Sequence, residues 1–105
     1  MTTFDDRKDA FEKKHAHDEE LAFKAVARRN KLLGLWVAEQ IGLTGDAAEA
    51  YAKEVVAADF EEAGDADVIR KVVADLKAKG KDISEHRIQV KLAELLETAK
   101  KQVSA

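Results

Sequence analysis

Not one of the 105 residues is proline, and three of the five glycines stand at the ends of amphipathic stretches. A sheet protein of this size spends more proline and glycine on its turns, so the chain reads as helical nearly throughout. Gly42, Gly64 and Gly80 sit where helix C-terminal caps sit. Thr44, Asp65 and Ser84 follow them, and their side-chain oxygens can accept from the free N–H groups of the next helix. Ile83 and Ile88 flank Ser84 at the spacing of a hydrophobic staple.

This punctuation predicts four helices. The first covers about Glu19 to Ile41, with Leu21, Val26, Leu32, Leu33, Trp36, Val37 and Ile41 as apolar positions. The second covers about Asp46 to Glu62 and carries Tyr51, Val55, Val56 and Phe60. The third, about Ala66 to Lys79, gathers Val68, Ile69, Val72, Val73 and Leu76 on one broad face. The fourth, about Glu85 to Val103, carries Ile88, Leu92, Leu95, Leu96, Ala99 and Val103 in a near-heptad stripe. Short connections make consecutive helices antiparallel neighbours. With six aromatic residues, the core must come from Leu, Val, Ile and Ala, which allows close helix approach. Trp36 and Tyr51 are expected in that core with their polar atoms satisfied.

Residues 1–18 read differently. After Met1 they hold only two large apolar side chains, Phe4 and Phe11, among Asp5, Asp6, Arg7, Lys8, Asp9, Glu12, Lys13, Lys14 and Asp18. Such a stretch buries too little apolar area alone to offset its ordering entropy. It retains helix propensity: Thr3 and Asp6 resemble a capping box, and Phe4 and Phe11, seven apart, share a face. Two readings fit: a segment frayed alone and helical on a partner, or an N-terminus with no role. The expected fold is all-α, a small four-helix bundle over 19–105 with a mobile, conditionally helical N-terminal segment over 1–18.

Composition excludes several classes of function. Without cysteine there is no disulfide and no Cys-based zinc or thiol chemistry, as suits a reducing cytoplasm. The longest apolar runs, such as Leu32 to Ala38, fall short of a membrane span, and Met1 to Asp6 is acidic with no signal-peptide core. A net charge of −3 argues against general nucleic-acid binding. His15 and His17 are two apart and lie on different helical faces, so they make no metal pair, and His86 falls in the first turn of the fourth helix, where a solvated or capping role is expected. The carboxylates, among them Asp65 and Asp67, suit helix N-termini and form no marked acid–base pair. Gly42-Leu-Thr-Gly-Asp46 has glycines but no lysine; a helix–helix turn explains it better than a phosphate loop, although a helix N-terminus can hold a nucleotide phosphate loosely. No cofactor is expected beyond such weak nucleotide binding. One charge asymmetry remains: Lys24, Arg28 and Lys31 share a helical face in a stretch without acids, either a solvated face or a docking strip for an acidic partner.

Several runs carry a resemblance. His17-Asp-Glu-Glu-Leu21, Phe23-Lys-Ala25, Ala27-Arg-Arg-Asn-Lys-Leu-Leu-Gly-Leu-Trp36, Ala50-Tyr-Ala-Lys-Glu-Val-Val56 and Ala58-Asp-Phe-Glu-Glu62 resemble the zeta-subunit family of alphaproteobacterial F1-ATPase inhibitors. The resemblance covers essentially the whole chain. It implies a four-helix protein with a mobile N-terminal segment that becomes helical at a catalytic alpha/beta interface of F1, beside the gamma subunit, blocking hydrolysis more than synthesis. Phe4, Asp5, Asp6, Arg7, Phe11, Glu12 and Lys14 lie where the family keeps this segment. Phe4 and Phe11 would anchor apolar pockets, and Arg7 and Lys14 would pair with acids. A helix of 18 residues reaches about 27 Å into a cleft. Relatives often carry an aromatic residue where this chain has His15, which implies weaker or pH-dependent inhibition here. The resemblance further implies a non-enzymatic cytoplasmic protein, peripheral to the inner membrane through F1, monomeric when free, with no nucleic-acid partner. The alternatives are a regulatory module that binds a nucleotide or a partner helix with inhibition weak or lost, and a small enzyme, for which so small a helical core leaves little room.

Overall fold

In the computed structural model, residues 3–59 and 65–104 are described along the backbone, and side chains over 19–59 and 65–104. Among the described residues there are four helices and no strand: α1 Thr3–Gln40, α2 Gly45–Ala58, α3 Ala66–Ala78 and α4 Glu85–Ser104. The molecule measures 65 × 25 × 22 Å.

The turns follow from the punctuation. Gly42 at φ 83° and Gly80 at φ 74° take the left-handed conformation that only glycine adopts without strain. Around them Leu43 N–H donates to Ala38 C=O at 2.8 Å, and Lys81 N–H to Leu76 C=O at 2.9 Å, satisfying carbonyls at the helix ends. The expected end of the second helix at Glu62 and the cap at Gly64 lie outside the described residues; the described part of α2 ends at Ala58.

Of the three expected N-caps, one is made. Ser84 Oγ accepts from Arg87 N–H at 3.2 Å, with Ile88 buried and Ile83 packed against the core as a staple requires. Thr44 makes no side-chain cap bond, and it is exposed, so this helix end is open to solvent. Asp65 also makes none, because its carboxylate is taken by Arg29.

The helices run up and down in sequence. Gly34 meets Ala52 and Val55 across α1/α2, Glu54 meets Lys71 across α2/α3, and Arg28 meets Gln102 across α1/α4. Each pairing fits an antiparallel neighbour. The core is Leu33, Val37, Val55, Val68, Val72, Leu76 and Ile88, all fully buried, with Tyr51 and Leu92 at its edge. Ala25, Ala38, Ala52 and Ala99 are also buried. These small side chains let the helix axes approach, as the shortage of aromatics predicts. Trp36 is half-buried against this core, with Lys91 Nζ 5.2 Å from its ring centre.

Candidate partner-binding site

The site is built on α1. At 1.5 Å per residue its 38 residues span about 57 Å, whereas the 20 residues of α4 span about 30 Å. The C-terminal end of α4 lies beside Leu21, Ala22 and Ala25. The helix therefore outruns its longest neighbour at the N-terminal end. Sequence reasoning starts the first helix near Glu19; the structure starts it at Thr3, so the segment continues α1 in helical form. The physical reason is cooperativity: adding a turn to an existing helix avoids the nucleation cost that a separate segment would meet.

Phe4, Asp5, Asp6, Arg7, Phe11, Glu12, Lys14, His15 and His17 all fall on this extension, and their side chains lie outside the described residues. The helical repeat alone fixes their register. Phe4 and Phe11 are about 20° apart around the axis; Arg7 and Lys14 form a parallel line about 60° to one side, and Asp5 and Glu12 lie about 80–100° to the other.

The strip Lys24, Arg28 and Lys31 is brought together on the outward face of α1, with each cation partnered. Lys24 Nζ lies 3.1 Å from Glu20, Arg28 Nε donates to Gln102 Oε1 at 2.6 Å, and Lys31 Nζ lies 3.8 Å from Glu49. Such exposed contacts are worth a few tenths of a kcal/mol, so a partner's acids can replace them.

Arg29, inside the same basic run, does something else. It is 5% exposed and its guanidinium holds Asp65 with two hydrogen bonds, 2.7 Å from Nη2 and 3.3 Å from Nη1. Nε and Nη2 also donate to Asn30 Oδ1 at 3.1 and 2.9 Å. Asn30 is fully buried, and its Nδ2 is left without a partner. This network ties α1 to the start of α3. A second network ties α2 to α3: Tyr51 hydroxyl donates to Asp75 at 2.7 Å, and Lys71 Nζ lies 3.2 Å from Asp75 and 3.3 Å from Glu54. Burial, with help from the Asp75 and Glu54 carboxylates, pushes the Tyr51 phenol well above its ordinary range. Burial pulls the Lys71 ammonium down, but hydrogen bonds and charges from Asp75 and Glu54 outweigh it and leave it raised. Both networks cross-link helices of the bundle behind the extension.

Sequence reasoning missed Arg29, Asn30 and Asp65 as a unit. The only available signal was the position of Asn30, three and four residues ahead of Leu33 and Gly34 and four after Val26, on the helix face that the apolar residues share, where a polar side chain needs a buried hydrogen-bonding partner. His86 is exposed in the first turn of α4. Among the described residues no three His, Cys, Asp or Glu side chains converge as metal ligands, and no helix is long and apolar enough to cross a membrane.

The family model described as ATPase inhibitor subunit zeta matches residues 1–102. A solved protein, determined by solution NMR, superimposes with a TM-score of 0.70 at 56% identity, over 78% of this chain and 93% of its own. A search of curated proteins finds no match.

Proposed function

The chain belongs to the ATPase inhibitor subunit zeta family, a regulatory rather than catalytic family whose partner is the F1-ATPase, and from that premise we propose that it brakes hydrolysis with the N-terminal part of α1. The observation that carries this reading is the single helix Thr3–Gln40, which carries the N-terminal segment out beyond the bundle as one continuous rod. In this reading the extension inserts at a catalytic alpha/beta interface beside gamma. Phe4 and Phe11 fill apolar pockets. Arg7 and Lys14 pair with acids, while Asp5 and Glu12 lie to the other side, and Asp5 and Asp6 in the first turn favour the helix N-terminus. Lys24, Arg28 and Lys31 meet acidic groups at the cleft's rim.

Physics supports the division of labour. The bundle supplies the helix nucleus, so binding has to order only the extension and its side chains. A rigid rod wedged beside a rotating shaft opposes the closure that hydrolysis requires in one direction and is expelled in the other, so synthesis is hindered less. The protein needs no cofactor for this, works as a monomer, and sits at the cytoplasmic face of the membrane only through F1.

The test is ATP hydrolysis by cognate F1 with the full chain and with residues 1–18 removed. Inhibition by the full chain alone supports the reading. Equal inhibition by both overturns it, and binding without inhibition by either would favour a docking module that has lost the brake.

A further inference from the structure

Asn30 lies within α1 with no exposed surface, and only half of its side-chain amide is engaged. Oδ1 accepts from Arg29 Nε and Nη2 at 3.1 and 2.9 Å. A guanidinium has only donors, so the amide cannot turn round and offer it the nitrogen instead. Nδ2 is therefore held on the side away from Arg29, and no described protein atom accepts from it. Leaving a buried donor unpaired costs more than an ordinary hydrogen bond gains, so this atom calls for an acceptor.

Asn30 lines a cleft of about 40 Å³ between α1 and the end of α2. Phe23, Val26, Ala27 and Val56 give it apolar walls. Asp59, half-buried directly after α2, supplies a carboxylate, which has lone pairs for several donors. A water needs about 10–15 Å³ of such space, so the cleft admits about one to three of them. The chemistry narrows the occupant further. An anion would be repelled by Asp59. A cation would meet the amide's donors, and an apolar guest would leave Nδ2 unpaired. A neutral molecule that both accepts and donates suits the two groups, and the size of the cleft restricts it to water.

We propose that this cleft is a structural water site, in which a water accepts from Asn30 Nδ2 and donates to the Asp59 carboxylate. A continuous polar chain then runs from Asp65 through Arg29, Asn30 and the water to Asp59. Asp59 closes α2 and Asp65 opens α3. Both ends of the α2–α3 connection are thus held by two adjacent residues of α1, one through a direct ion pair and the other through water. Water is the easier partner to exchange, so the α2 end is the looser of the two. The site is independent of how the N-terminal part of α1 acts on F1.

The experiment is NMR on the isotope-labelled full chain, measuring cross-relaxation between the Asn30 side-chain amide protons and water. Simple proton exchange gives peaks of one sign in the laboratory-frame and rotating-frame spectra, whereas a long-held water gives peaks of opposite sign. The expected result is an opposite-sign peak at Asn30, lost in Asp59→Ala and kept in Asp59→Asn, which still has an acceptor oxygen. Absence of that peak from the unchanged protein overturns the site. A scalar coupling from Asn30 Nδ2 to the Asp59 carboxylate carbon would put the two groups in direct contact and also overturn it. A peak as strong in Asp59→Ala as in the unchanged protein removes Asp59 from the bridge and overturns the tie to α2. Should Asp59→Ala fail to fold, the unchanged protein and Asp59→Asn decide the question: a peak in the first that is missing from a folded second overturns the bridge.

Discussion

Gly34→Ala is the sharpest test of how α1 and α2 are joined. In an exposed helix interior, replacing glycine by alanine stabilises by about 1 kcal/mol. At this position the added Cβ would lie 2.6 Å from Ala52 Cα, 3.1 Å from Ala52 Cβ and 3.3 Å from Val55 Cβ. Carbon atoms rest at about 3.5–4.0 Å, so the helices must separate by about 1 Å at their crossing. The nearest atom is backbone, and no rotamer change can move it aside. The displacement opens the packing around fully buried Leu33, Val37 and Val55. Overpacking of this kind costs about 1–3 kcal/mol, and the rigid neighbour argues for the upper part of that range. After the helix-propensity gain, a net loss of about 2 kcal/mol remains, or about 8–16 °C in Tm for a domain of this size. Thermal denaturation followed by circular dichroism at 222 nm measures it. Adding Ala52→Gly should recover only part of the loss, because it takes away the Ala52 methyl group and leaves the tighter clash with the α2 backbone in place. A Tm equal to or above that of the unchanged protein would refute the reasoning, since it would mean that the backbones of α1 and α2 do not meet at Gly34.

Arg29→Met keeps the aliphatic stem but strips Asn30 and Asp65 of their donor; with the Asp65 side chain 44% exposed and able to reach water, the loss in urea unfolding should be about 2 kcal/mol, below the range for a fully buried pair. Ser84→Ala removes the N-cap of α4 and should cost about 1 kcal/mol, with Thr44→Ala, which loses no bond, near zero in the same assay. Tyr51 and Lys71 both hold their protons more tightly when folded than their ordinary values of 10.0 and 10.5, so the unfolded chain releases them first and stability, complete below about pH 10, declines as pH rises further. Tyr51→Phe should lower stability by about 1 kcal/mol at neutral pH and flatten the alkaline decline, which urea melts between about pH 8 and pH 11 would resolve.

The sequence by itself determined the number of helices, their order and most of their boundaries. Absent proline, left-handed glycines at Gly42 and Gly80 and the Ile83-Ser84-Ile88 staple are local signals, decided by a few bonds within a turn, and a local reading can find them. It also located the family's runs and the two phenylalanines of the N-terminal segment, because a seven-residue spacing is a property of the helix alone. Only the tertiary structure decided what the polar residues inside those helices do. Arg28 and Arg29 are neighbours in one basic run; a rotation of about 100° sends the first to Gln102 at the surface and the second into the interior, where Asp65 and Asn30 hold it. Asp65 reads as a cap from its position and serves as a counter-ion because a buried guanidinium costs more unpaired than an exposed helix end does. Gly34 reads as a weakness in a helix and is the point where α2 comes up against α1. The cleft beside Asn30 is likewise tertiary: Ala27 and Val56 stand 29 positions apart, and only the antiparallel packing of α1 on α2 brings them to one surface.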